Sequence, residues 1–548
     1  MGHTETFITL IENAIKKYWN SPAFSDYEGQ TLTYSEVGTK ILKLHKVFEK
    51  CGLKKNDKIS LVGRNQANWG VVYLAAVSYG AVIVPILPDF KTSDIHHIVT
   101  HSDSLILFIS DNIFEKIDET KMPHLKGIVS LSDFHIVHEN EKCTVRKALE
   151  TLDEIQVDAT RESFKLPEAS LDDIAVISYT SGTSGFSKGV VLPNRSLWNN
   201  ARIVFDDEIN LHEGDRIVSF LPLAHAYGCL FEFLTPFIYG CHITFLTRTP
   251  SPQVVTKAFR EIKPNMILAV PLIIEKIYKK NILPAIDKST MKLIMKVPLV
   301  NKSIFKKIND KLTSVFGGEF NDVVIGGAAF NKDVEKFLKR IGFKFSVGYG
   351  MTECGPLISY RNWQNHKPEA AGRVVPGMEV KVDSEDPRRI PGEILVRGKN
   401  VMVGYYKNPQ ATKEVFTDDG WLKTGDLGVI DEENFIYIKG RSKNMILGPS
   451  GQNIYPEEIE AVINNMPYVM ESLVKDSNGK LEALVYPDFE ATDAAGMTIQ
   501  EVEDAIQGHR KLLNEILPGY MNISKITLFP SEFEKTPKKS IKRYLYTK

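Results

Sequence analysis

Short apolar runs separated by amphipathic segments set the strongest constraint on how this chain folds. Lys58-Ile-Ser-Leu-Val reads as a strand and Tyr73-Leu-Ala-Ala-Val-Ser as a helix. Ala81-Val-Ile-Val-Pro-Ile and Ser104-Leu-Ile-Leu-Phe-Ile read as two further buried strands. Strands apolar on both faces need cover on both sides, so their alternation with helices predicts largely parallel, doubly wound sheets, an α/β architecture. Near Arg397 the texture changes to shorter strands with glycine-rich turns. A polar break at Lys439-Gly-Arg-Ser-Lys then precedes Tyr455-Pro-Glu-Glu-Ile-Glu. Proline in a first turn followed by acids marks a helix start, and a small α+β unit is expected beyond a boundary near residue 440.

Charge and cysteine usage exclude several classes. Over 548 residues the formal net charge is −1, which gives no basic field for nucleic acid. The five cysteines (Cys51, Cys143, Cys229, Cys241 and Cys354) are scattered and show no CxxC spacing. Free thiols in a reducing cytoplasm, with no structural zinc, are expected. No apolar run reaches the roughly 18–20 residues of a membrane span.

One segment has too little to bury to be a core element. Ser178-Tyr-Thr-Ser-Gly-Thr-Ser-Gly-Phe-Ser-Lys-Gly follows the apolar Ile174-Ala-Val-Ile and collects hydroxyls, glycines and Lys188. Such a stretch loses conformational entropy on ordering and must gain something other than burial. Glycines let backbone N–H groups approach a ligand, hydroxyls donate hydrogen bonds and a lysine adds positive charge, the parts of a phosphate cradle. A Walker A loop is excluded, because Gly189 follows Lys188 and the glycine spacing differs. Alone, a serine–glycine loop is also what a linker looks like.

Downstream segments make the loop one part of a pattern. Ile325-Gly-Gly-Ala-Ala, Val347-Gly-Tyr-Gly-Met-Thr-Glu-Cys-Gly-Pro, Gly420-Trp-Leu-Lys-Thr-Gly-Asp-Leu-Gly and Lys439-Gly-Arg-Ser-Lys follow it in turn. Together the five resemble, in order, the signature elements of the adenylate-forming superfamily, which includes acyl-CoA synthetases, luciferases and peptide-synthetase adenylation domains. Leu32-Thr-Tyr-Ser-Glu and Gly80-Ala-Val-Ile-Val-Pro extend the similarity toward the N-terminus. The loop departs at Ser184, a hydroxyl swap, and at Ser187, where the family usually has proline.

The resemblance implies ATP and Mg²⁺. Thr180, Ser181, Gly182, Thr183, Ser184, Gly185 and Lys188 would surround the phosphates, and Gly327 and Ala328 would lie against the base. Within Gly348-Tyr349-Gly350-Met351, Tyr349 would stack on adenine; Thr352 would bond the α-phosphate, and Glu353, with Thr180, would ligate the metal. Asp426 would accept from the ribose hydroxyls, Arg441 would contact phosphates or ribose, and Lys443 would stand at a hinge. Gly451 would line the pantetheine entrance for coenzyme A. The family architecture implies an N-terminal domain, 1–441, with a β-barrel-like subdomain, and a mobile α+β lid, 442–548.

Singly, Glu353 reads as a solvated acid, Tyr349 as a core aromatic and Asp426 as a turn cap. Their shared order favours the site reading. His225, in Leu221-Pro-Leu-Ala-His-Ala-Tyr-Gly, stays open between a satisfied structural histidine and a side chain at the junction of acyl and nucleotide pockets.

Amino-acid-activating relatives place an aspartate just after the position of His225. Here no acid occurs before Glu232, and an unpaired buried ammonium is costly, so an amino acid is a poor substrate. Met266-Ile-Leu-Ala-Val-Pro-Leu-Ile-Ile-Glu-Lys-Ile-Tyr-Lys-Lys resembles an element of long-chain fatty acyl-CoA synthetases, with Leu272 replacing the usual arginine. An apolar tunnel gains about 0.8 kcal/mol per buried CH₂. The expected activity is ATP-dependent conversion of a medium- or long-chain fatty acid to its coenzyme A thioester. Rivals are an acyl-adenylate ligase serving a carrier protein in trans, no carrier domain being fused, and a non-catalytic acyl or nucleotide sensor. A homodimer is compatible with either. Ten lysines lie between Lys276 and Lys311 against Asp287 and Asp310, either as a solvated face or as a contact for anionic membrane.

The tail departs from the family pattern. Lys535-Thr-Pro-Lys-Lys-Ser-Ile-Lys-Arg puts Ser540 where the family's C-terminal catalytic lysine belongs. Lys539, one residue away, is the expected substitute, with Lys538 and Lys542 behind it; solvation of a tail is the ordinary explanation for all three.

Overall fold

A computed structural model describes residues 5–140, 145–150, 152, 154–157, 159–180, 188–202, 211–286, 300–448, 452–536 and 540–547. The chain forms two compact units. The larger takes most of the chain up to Glu379 together with Val396–Leu422; the smaller takes Val380–Leu395 and Lys423–Lys548.

Two large sheets build the first unit. In the eight-stranded sheet, Ile174–Thr180, Val82–Ile86, Lys58–Val62, Ser104–Ile109 and Gly127–Ser130 run parallel. Its edges are antiparallel: Ile136–Glu139 on one side, Lys188–Pro193 and then Gly404–Tyr405 on the other. The apolar runs at 58, 82 and 104 are thus strands, as predicted, and helix Ala67–Tyr79 between them is buried along most of its length. The seven-stranded sheet is parallel through Phe345–Val347, Asp322–Ile325, Met266–Ala269, Arg216–Ser219, His242–Phe245 and Pro22–Asp26, with Thr31–Thr33 antiparallel at its edge. Helix Tyr34–Lys50 starts on a capping box. The Glu36 carboxylate accepts from Thr33 N–H at 2.7 Å, and Thr33 Oγ1 accepts from Glu36 N–H at 3.3 Å. The Leu32-Thr-Tyr-Ser-Glu stretch therefore has a local structural role.

In the smaller unit a sheet of Val469–Ser477, Lys480–Pro487 and Ile523–Leu528 packs with helices Pro456–Ile463 and Ile499–Ile516. Its core includes Ile459, Val485, Ile506 and Ile526. Helix Pro456–Ile463 starts where the sequence predicts, with Pro456 at its first position and Glu457 and Glu458 in its first turn. Among the described residues, no helix is long and apolar enough to cross a membrane. Cys51 is buried, and Cys229, Cys241 and Cys354 are buried free thiols.

A buried acid anchors the strand leading to Gly326-Gly327. Asp322 Oδ2 accepts hydroxyl hydrogen bonds from Ser346 at 2.7 Å and Tyr360 at 2.8 Å. Burial pushes its carboxyl up to about 6, although the hydroxyls and His366 pull the other way. The folded state thus holds this proton more tightly than the unfolded chain, so the contribution to stability is full below about pH 4 and is lost as pH rises through about 6. Urea unfolding of the wild type and Asp322→Asn at pH 4.5 and 7.5 checks this. The stability difference between the two proteins should shift by about 2–3 kcal/mol, with the wild type relatively weaker at high pH.

Candidate active site

The hydroxyl–glycine loop hangs from a hairpin. Thr180 lies opposite Lys188, and Tyr179 opposite Gly189, in the antiparallel register of Ile174–Thr180 and Lys188–Pro193. Ser181, Gly182, Thr183, Ser184 and Gly185 fall outside the described residues. On its other edge Lys188–Pro193 pairs with Gly404–Tyr405, with Tyr405 opposite Val190. Backbone bonds extend that pairing: Tyr406 N–H donates to Gly189 C=O at 2.7 Å and Val403 N–H to Val191 C=O at 2.9 Å. Register therefore delivers the Lys188 ammonium to 4.8 Å from the centroid of the Tyr405 ring.

A tight turn supplies the second element. Tyr349–Gly350 and Leu357–Tyr360 pair antiparallel, and Thr352–Cys354 forms a 3₁₀ turn between them. A Cβ on Gly350 would come within 2.2 Å of Pro356 C=O, so the close crossing requires glycine. Tyr349 and Thr352 are buried and Glu353 is half-buried. Glu353 Oε1 accepts the Tyr405 hydroxyl at 2.9 Å, and Glu353 C=O accepts from Met402 N–H at 2.8 Å. Burial and the Glu353 charge push the Tyr405 phenol well above its ordinary range, so it stays a neutral donor. The second Glu353 oxygen has no hydrogen-bond partner among the described residues.

Strand Asp322–Ile325 ends in Gly326-Gly327. Gly327 has φ +86°, and both Gly327 and Ala328 are exposed. Gly348 N–H donates to Ile325 C=O at 3.0 Å, which sets Gly348 and Tyr349 beside the glycine pair. Tyr227 packs against Gly326 and donates its hydroxyl to Val324 C=O at 2.9 Å. Two residues earlier, His225 is half-buried, and its Nδ1 accepts from Tyr227 N–H at 3.3 Å to cap a short helix. Glu232, fully buried, accepts at Oε2 from Phe220 N–H at 2.9 Å and Leu221 N–H at 3.0 Å, and burial pushes its carboxyl well up. An apolar cavity runs along this helix, walled by Tyr73, Val176, Leu192, Leu197, Cys229 and Leu230.

The remaining expected residues belong to the second unit. Asp426 lies opposite Arg441 in the pairing of Leu422–Ile430 with Ile436–Arg441. Its buried carboxylate takes the exposed guanidinium, Nε to Oδ1, at 2.8 Å. Lys443 is exposed on the 3₁₀ turn Ser442–Asn444. Gly451, Lys538 and Lys539 fall outside the described residues. Ser540 is exposed, its C=O accepts from Thr536 N–H at 2.8 Å, and Lys542 pairs with Glu534 at 3.3 Å.

Two residues of the site escape sequence reading. Tyr405 sits in Gly404-Tyr-Tyr-Lys-Asn-Pro, where only an aromatic pair after a glycine hints at a role. Asn200 looks like an ordinary helical polar residue, yet it is buried and clamps the turn: Nδ2 donates to Cys354 C=O at 3.1 Å and Oδ1 accepts from Leu357 N–H at 3.0 Å. Among the described residues no three His, Cys, Asp or Glu side chains gather as a metal site.

Asn200→Ala should orphan both groups, at about 1–3 kcal/mol each. A thermal melt of that size in loss, with faster amide exchange at Leu357 than in the wild type, is the expected result.

The sequence matches the family described as AMP-binding enzyme over residues 11–406. It is 26% identical over 505 residues to a long-chain-fatty-acid–CoA ligase of Escherichia coli O157:H7, covering 85% of this chain and 82% of that one. It is 27% identical over 538 residues to a chloroplastic long-chain-fatty-acid–[acyl-carrier-protein] ligase of Arabidopsis thaliana, covering 84% and 72%. Its fold superposes on the anthranilate CoA ligase AuaEII in complex with anthranoyl-AMP with a TM-score of 0.79 at 17% identity, covering 100% and 97%. The chain belongs to the AMP-binding enzyme family of AMP-forming acid–thiol ligases.

Proposed function

We propose that this protein activates a medium- or long-chain fatty acid with ATP and passes the acyl group to coenzyme A. A fatty carboxylate oxygen attacks the α-phosphorus of ATP, and pyrophosphate leaves. The coenzyme A thiolate then attacks the acyl-adenylate carbonyl, and AMP leaves. The observation that supports this most is the gathering of Lys188 and Glu353 around Tyr405, which joins the end of the hydroxyl–glycine loop to the turn bearing Tyr349 and Thr352.

The first step brings two anions together. Lys188 would offset phosphate charge and Thr352 would bond the α-phosphate; donors of this kind stabilise developing charge by about 3–4 kcal/mol each. Glu353, with one carboxylate oxygen clear, and the Thr180 hydroxyl are hard oxygen ligands of the type Mg²⁺ takes alongside substrate phosphates. Bound there, the cation would supply further neutralisation of the phosphates. Tyr349 would stack on adenine beside Gly327 and Ala328. Asp426 would exchange part of its pairing with Arg441 for the ribose hydroxyls. Residues 442–548 would turn about Lys443 between the half-reactions, bringing Gly451 toward the thiol. With Lys542 already paired to Glu534, Lys539 is the residue we assign to the place held by lysine in the family, where Ser540 stands.

The fatty acid reading draws on the name of the Escherichia coli relative. Glu232, the first acid after His225 in the sequence, is fully buried and accepts two backbone amides at Oε2, which argues against its pairing a substrate ammonium. The plant relative's name supports a second reading, delivery to a carrier protein. A cytoplasmic enzyme meeting anionic membrane through the lysine-rich stretch 276–311, which the exposed Leu272 and Ile273 precede, fits either acceptor.

ATP–pyrophosphate exchange across saturated acids of increasing length tests the proposal. Exchange should rise with chain length, and free coenzyme A should be consumed; exchange without such consumption selects the carrier. Glu353→Gln should lower exchange by roughly 10²–10³-fold, and Lys539→Ala should lower it while Lys542→Ala does not. Absence of acid-stimulated exchange at every length would overturn the reading.

A further inference from the structure

The geometry points to Tyr405 as the positioning residue that keeps Glu353 and Lys188 apart and ready. This inference rests on the reading of Glu353 as the carboxylate facing the metal and phosphates. A carboxylate and an ammonium in one half-buried site ordinarily collapse into a direct ion pair, which would cover the groups that ATP and its cation must meet. Here neither Lys188 nor Glu353 has an ion-pair partner among the described residues. Tyr405 stands between them instead. Its hydroxyl donates to Glu353 Oε1 at 2.9 Å, leaving the other oxygen clear, and its ring takes the Lys188 ammonium with the nitrogen 4.8 Å from the centroid. A ring face attracts a cation without occupying its hydrogen-bond donors as a carboxylate would.

The backbone makes the arrangement rigid. Tyr405 is held opposite Val190 by strand pairing, its own N–H donates to Thr412 Oγ1 at 2.9 Å, and Met402 N–H reaches Glu353 C=O at 2.8 Å. One short segment is thus bonded to the strand that bears the lysine and to the turn that bears the glutamate.

Binding of Mn²⁺ to the full-length chain, with a non-hydrolysable ATP analogue present and free Mn²⁺ followed by electron paramagnetic resonance, tests this assignment. Tyr405→Phe keeps the ring and removes the donor, so Mn²⁺ affinity should fall about tenfold while affinity for the metal-free analogue stays at the wild-type value. Tyr405→Leu removes the ring as well, and should weaken both metal and metal-free analogue binding. The assignment is overturned when Tyr405→Phe holds Mn²⁺ as tightly as the wild type while Glu353→Gln does not. Wild-type Mn²⁺ affinity in Glu353→Gln would instead remove the reading of Glu353, and this inference with it.

Discussion

Strand Lys188–Pro193 is hydrogen bonded along both edges, to Ile174–Thr180 on one side and to Gly404–Tyr405 on the other, and the rest of the site hangs on those two ladders. The first ladder sets both ends of the hydroxyl–glycine loop opposite each other. The second ladder places an aromatic ring beside the only cation of the loop segment. Backbone hydrogen bonds are specific in register, and a slip of one residue would turn Lys188 and Tyr405 to opposite faces.

Around that frame two buried polar side chains tie the neighbouring elements together. Asn200 ties both sides of the turn bearing Glu353, and Asp322 receives two hydroxyls at the start of the strand that ends in Gly326-Gly327. Such groups cost free energy when left unpaired and are directional when paired, so they define geometry more sharply than apolar packing does. Glycine plays the complementary part. At Gly350 a side chain would strike Pro356, and at Gly326 it would displace the Tyr227 ring.

In the second unit the buried carboxylate of Asp426 and the guanidinium of Arg441 are cross-strand neighbours. A buried carboxylate needs a partner to offset its lost hydration. A mostly exposed arginine fills that place at little cost, because its own solvation is nearly intact.

Local chemistry was legible from the sequence. The apolar runs at 58, 82 and 104 became strands, Pro456 opened its helix, and Thr352 and Glu353 share one turn just after the strand that bears Tyr349, because a few residues of spacing keep them together. Tyr405, Asn200 and Asp322 were not legible. Each acts on groups 38 to 157 residues away in the chain, through Tyr360, Glu353, Cys354 and Leu357, and no local pattern encodes such a partner. The sequence by itself determined which chemical groups the protein has and which short elements bear them. Only the tertiary structure decided which of those groups meet, because strand order and register, not spacing along the chain, set the distances between them.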